Sequence, residues 1–98
     1  MEETDDRYRV RPVEWDENKR RANVAKHGID FADALAVFSD PRCRIYGPRA
    51  GYREARFVAV GSAAGRIVAV VFTERGDAVR IISARAARRS ERSLYEQA

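Results

Sequence analysis

The run Val68-Ala69-Val70-Val71-Phe72 restricts the possible folds of this chain more than any other stretch. Five apolar, mostly β-branched residues without a polar alternation predict a strand covered on both faces, because a strand with one face in water alternates. The chain then crosses Glu74-Arg75-Gly76-Asp77 and continues as Val79-Arg80-Ile81-Ile82-Ser83-Ala84-Arg85, again of strand length. Two such runs joined by a Gly-containing turn predict a β-hairpin. Its far end leads into the basic segment Arg88-Arg89-Ser90-Glu91-Arg92. A buried hairpin carrying arginines out of the core is therefore the frame for the rest.

With 98 residues the chain has room for one modest core and not for two. A content of 45% hydrophobic and 35% charged residues is that of a soluble globular domain. No apolar stretch has the length of a membrane span, and the polar start Met1 to Arg11 has no signal-peptide core. The lone Cys43 has no partner for an internal disulfide, so a reducing cytoplasm is the expected compartment. One cysteine and one histidine argue against a structural zinc site, and no cofactor is expected. The net charge of +4 is distributed unevenly: acidic residues crowd the first forty positions, while arginine dominates the remainder. Arginine's planar fork suits phosphate, so a nucleic acid or an acidic protein is the partner to consider, with a solvated basic face as the plain alternative.

In chain order, residues 1–12 read as a tail and 13–98 as a single domain. Val13-Glu14-Trp15 is a short apolar-polar segment. Asp16 caps a helix over Glu17 to His27, with Glu17 and Lys26 on the favourable ends of its dipole. Gly28 supplies a left-handed stop, with Ile29 folding back on Val24. Asp30 caps a second helix, Phe31 to Phe38, whose Phe31, Ala34, Leu35 and Phe38 form a core-facing stripe. Cys43 to Tyr46 reads as a short strand and Gly47 to Gly51 as a loop. Glu54 to Val60 is the next strand, with Glu54, Arg56, Val58 and Val60 on one face, and Gly61 to Arg66 turns into the hairpin. A last helix is expected from about Ala86 to Gln97. The fold class is α+β: two N-terminal helices and a C-terminal helix in one layer on a mostly antiparallel sheet of three to four strands.

Several segments, taken together and in order, resemble the BrnT family of toxins from bacterial type II toxin–antitoxin pairs. They are Val13-Glu14-Trp15-Asp16 with Lys19 and Asn23, Lys26-His27-Gly28, and Phe31-Ala32-Asp33-Ala34. Further along come Glu54-Ala55-Arg56-Phe57, Gly61, Thr73-Glu74-Arg75, and Arg80-Ile81-Ile82-Ser83-Ala84-Arg85 with Glu91 and Tyr95. The resemblance implies a RelE-like fold and a metal-independent ribonuclease that arrests translation. It also implies a BrnA-like ribbon-helix-helix antitoxin, through which alone operator DNA would be contacted.

Cleavage of RNA without a metal needs a base for the 2′-hydroxyl, an acid for the 5′-oxygen, and positive charge beside the transition state. Arg85, Arg80, Arg56, Glu54, His27 and Lys26 are the residues that can supply these. His27 is also placed to cap the helix it ends. Arg80 and Arg85 are either rigid phosphate clamps or strand arginines paired with Glu54 or Glu91; strict alternation would place them on opposite faces. Glu54 is a general base beside Arg56, or the two form a cross-strand ion pair. Arg88, Arg89 and Arg92 form an RNA-binding surface, a solvated face or a landing site for an acidic antitoxin segment. Tyr46, Tyr52 and Tyr95 are stacking candidates or rim and core residues; Trp15 and Cys43 read as packing residues. The competing function is a basic binding module that engages an antitoxin or nucleic acid without cutting it.

Overall fold

A computed structural model describes residues 11–97. Their elements are β1 (Val13–Trp15), α1 (Glu17–His27), α2 (Phe31–Ala34), α3 (Ala36–Ser39), β2 (Arg44–Arg49), β3 (Arg56–Ala63), β4 (Arg66–Arg75), β5 (Ala78–Ala86) and α4 (Arg89–Glu96). The hairpin β4–β5 lies at the centre of a five-stranded sheet of order β1-β5-β4-β3-β2. Four strands are antiparallel; β1 adds to β5 in parallel, from Val13 opposite Val79 to Trp15 opposite Ile81. The sheet is therefore mixed, and its five strands exceed the three to four expected. Residues 1–10 of the expected tail lie outside the described residues. Arg11 is anchored on the β4–β5 turn, donating to Asp77 O at 2.9 Å and Gly76 O at 2.9 Å and pairing with Glu74 at 2.5 Å.

Burial explains why the run from Val68 to Phe72 in β4 is purely apolar. Val68, Val70 and Phe72 point into a core with Phe31, Ala34, Val37 and Phe38, while Ala69 on the other face meets Val58, Val60 and Tyr95. Helices α2 and α3 thus cover one face and α4 the other, while α1 lies along the β5 edge. This corrects the expected single helical layer.

Local signals set the ends of α1. The Asp16 carboxylate accepts from Asn18 N at 2.8 Å, and Gly28, at φ 71°, donates to Val24 O at 2.8 Å. Ile29 is buried in the main core and Val24 is exposed, so the packing at this stop is with the sheet. The second expected helix is broken in two at Leu35. The turn there brings Val37 and Phe38 into the core together and leaves Leu35 half-buried. β2 runs to Arg49, into the expected loop, with an irregularity between Tyr46 and Arg49. β3 begins at Arg56 and ends at Ala63, so the turn before β4 shrinks to Ala64-Gly65 at φ 52° and 75°, as a two-residue hairpin requires. β5 extends to Ala86, which delays the last helix to Arg89.

Two polar links hold the layers. β1 pairs only as far as Ile81, leaving the β5 edge uncovered beyond it. There the buried Asn23 amide replaces a strand: its Nδ2 donates to Ala84 O and Ile29 O, both at 2.8 Å, and its Oδ1 accepts from Ala84 N at 3.1 Å. Asp40 Oδ2 accepts from Ser62 N at 2.8 Å and from the Tyr95 hydroxyl at 2.7 Å, joining the end of α3 to β3 and α4.

Candidate functional site

Helix α4 is short and covers only part of its face, around Val58, Val60 and Ala69. The rest of that face is an open groove of two adjoining cavities, of about 370 and 260 Å³. The first is lined by Lys19, Arg53, Glu54, Arg75 and Arg80, the second by Arg49, Ser83, Arg85 and Arg88; Tyr52, Arg56 and Ile82 line both. A shallower depression of about 210 Å³ continues from Ile82 and Ser83 past Lys19 and Asn23 to Lys26 and His27. All six residues expected to carry chemistry, Arg85, Arg80, Arg56, Glu54, His27 and Lys26, thus border one connected groove.

An irregularity in β5 makes this convergence possible. Val71 pairs with Ser83 but Phe72 pairs with Ile81, so Ile82 is an extra, bulged residue. Val79, Ile81 and Ala84 consequently all reach the main core, while Arg80, Ile82, Ser83 and Arg85 all border the groove. The expectation that Arg80 and Arg85 face opposite ways is therefore wrong, because strict alternation fails at Ile82.

Arg85 does not stand alone. Its Nη1 and Nη2 donate to Glu91 Oε1 and Oε2 at 2.7 and 3.0 Å, and the Tyr46 hydroxyl donates to the same carboxylate. Arg88 N also donates to Glu91 Oε1, at 2.8 Å, which fixes the start of α4. Burial alone would raise the Glu91 pKa, but the Arg85, Tyr46 and Arg88 donors hold it at about 2. The Glu91 bonds in turn raise the pKa of Arg85. Burial, and then the bond to Glu91, raise that of Tyr46, so its phenol stays protonated as a donor. Two of the five N–H groups of the Arg85 guanidinium are committed to this fork, and the guanidinium also meets the Tyr46 hydroxyl at the edge of the groove.

The remaining candidates are less constrained. Arg80 approaches Glu14 at 3.8 Å, an open pair of small energetic weight. Glu54 lies in the exposed loop before β3, not on the strand, and no ion pair joins it to Arg56. Arg56 instead lies over the Tyr52 ring, its guanidinium carbon 4.1 Å from the centroid. The loop bearing Tyr52 and Glu54 is tied to the sheet by Thr73 Oγ1, which donates to Ala55 O at 2.8 Å. His27 is half-buried at the C-terminal end of α1, beside the exposed Lys26. Arg88, the cap residue just before α4, borders the groove; Arg89 and Arg92 are exposed and line neither cavity. Sequence reasoning did not pick out Arg49, Arg53 and Arg75 as groove residues. Each lies in a loop or near a strand end, where no periodicity marks the face a residue will take.

The two cavities are lined, among the described residues, by eight cations and one carboxylate, which suits a polyanion. Among the described residues, no group of three or more His, Cys, Asp or Glu could hold a metal ion, and no helix is long and apolar enough to cross a membrane. A family model described as the ribonuclease toxin, BrnT, of type II toxin–antitoxin systems matches residues 15–91. The search of curated proteins finds no match.

Proposed function

Because the chain belongs to the family of BrnT ribonuclease toxins of type II toxin–antitoxin systems, we propose that it cleaves RNA in the groove between α1, the loop 50–55 and α4. The observation that carries this is the gathering of Arg49, Arg56, Arg75, Arg80, Arg85 and Arg88 on the part of the sheet that α4 leaves open. Attack of a ribose 2′-hydroxyl on the adjacent phosphate forms one P–O bond and breaks the bond to the 5′-oxygen, giving a cyclic phosphate and a 5′-hydroxyl end. The reaction moves a proton off the nucleophile and delivers one to the leaving oxygen. Glu54 in one cavity and His27 in the adjoining depression are the side chains this reading offers for proton transfer. Fixed guanidinium groups stabilise the charge that builds on the phosphorus oxygens. Arg85 is the most rigid of them, since the buried Glu91 orients it before any substrate arrives. In this reading the arginines supply the positive charge and no metal is required. Cleavage of messenger RNA in the cytoplasm arrests translation, and a BrnA-like ribbon-helix-helix antitoxin neutralises the protein and makes the operator contacts.

The test is cleavage of a single-stranded RNA by the purified protein in EDTA. Arg85 is a poor choice for substitution, because its removal would strand the Glu91 carboxylate in the interior. Arg80→Gln disturbs only an open pair, and is expected to keep the fold by circular dichroism while lowering kcat/KM about a hundredfold or more. Full activity in that variant would remove Arg80 from the mechanism. The commitment of Arg85 to Glu91 favours one other reading, a basic module that binds RNA without cutting it. A salt-sensitive gel shift with no product would establish that instead.

A further inference from the structure

Of the tyrosines weighed as stacking residues, two are occupied. Tyr95 is buried and hydrogen-bonded to Asp40, and Tyr46 is bound to Glu91. Tyr52 differs: the residue is 48% exposed, and it borders both cavities of the groove. The Arg56 guanidinium lies over one face of the ring, 4.1 Å from its centroid, which braces it. The cations on either side, Arg80 and Arg75 in one cavity and Arg85 and Arg88 in the other, would meet the phosphates flanking a nucleotide placed there.

We propose that Tyr52 is a base platform, on which one unpaired nucleobase stacks while the phosphates on its two sides enter the two cavities. This rests on the nuclease reading and deepens it by naming the substrate class as single-stranded RNA. A base within a duplex has both faces stacked already and cannot lie on the ring, so paired RNA is excluded. An aromatic face accepts every base, so Tyr52 selects for strandedness rather than for sequence.

Affinity is measured by fluorescence anisotropy with a labelled, uncleavable 2′-deoxy oligonucleotide, and cleavage with its ribose counterpart. Tyr52→Ala is expected to weaken binding and raise KM about ten- to a hundredfold, with Tyr52→Phe close to the parent. In the parent, one abasic position placed at each site in turn should reproduce the loss at a single register. It should have no further effect in Tyr52→Ala. Equal binding and KM in Tyr52→Ala and the parent, with cleavage intact, would overturn the platform and leave the nuclease reading standing. A parent protein that binds but does not cut, yet loses affinity in Tyr52→Ala, would keep the platform and overturn the nuclease. A parent that cleaves a duplex as fast as a single strand would also overturn the platform, as would one that neither binds nor cleaves.

Discussion

Glu91 is a carboxylate only 4% exposed, in a protein whose net charge is positive. An isolated charge could not stay there. It is retained because Arg85, Tyr46 and Arg88 N all donate to it, so one residue starts α4 and also aims the most constrained guanidinium of the groove. Replacing Glu91 by Gln keeps the shape but leaves Arg85 without its counter-charge. The expected loss is about 3–5 kcal/mol in urea unfolding at neutral pH. The pH dependence has a definite sign. The folded-state pKa is lowered from 4.5 to about 2, so the stabilisation is complete above 4.5 and is lost as pH falls towards 2. Parent and variant curves should therefore converge across that window. Glu17, also lowered to about 2 by its bond to Arg20, is common to both proteins and does not affect the difference. Curves that stay parallel would mean that Glu91 is not the group that titrates.

The register of the elements was harder to read from the sequence than their presence. The apolar run of β4, the caps Asp16 and Asp30 and the stop at Gly28 each state their role locally, and each is found where expected. The bulge at Ile82 has no such signature: two consecutive isoleucines look like any buried strand, and only the need to bury Val79, Ile81 and Ala84 together fixes it. The candidate site inherited that gap, since its residues could be named but not assigned to one face. The parallel addition of β1 was equally hidden, being three residues long and decided by a partner more than sixty positions away. Gly61 shows how closely the elements approach. A Cβ there would lie 3.1 Å from both Val37 Cγ1 and Val37 O and 3.3 Å from Asp40 Oδ2. Gly→Ala in a strand would ordinarily gain roughly 0.5–1 kcal/mol of backbone entropy. Here the backbone carbonyl of α3 cannot swing aside, and forced overpacking of about 1–3 kcal/mol outweighs the gain. Gly61→Ala is expected to lower the urea midpoint; a raised midpoint would mean that α3 is free to move away from β3.

For the molecule as a whole, the uneven placement of charge matters more than its total of +4. Carboxylates neutralise arginines away from the groove: Glu74 pairs with Arg11, and Glu17 and Asp30 with Arg20. Among the described residues, eight cationic side chains line the two cavities with Glu54 as the one carboxylate, and Glu14 and the buried Glu91 each engage one of them from outside. The field is therefore concentrated where a strand would lie, which raises the capture rate of a polyanion and makes its binding depend on salt. If about four phosphates are held, the logarithm of the affinity for a deoxy oligonucleotide should fall with the logarithm of salt concentration at a slope of about −3. Arg75→Gln should reduce that slope by roughly 0.7, one phosphate contact fewer. Arg89→Gln, on the exposed side of α4 and outside both cavities, should leave it unchanged. Both variants change the net charge by one unit, so a non-specific attraction would respond to them alike. A slope that moves only with Arg89 would place the strand along α4 and take the groove out of RNA binding.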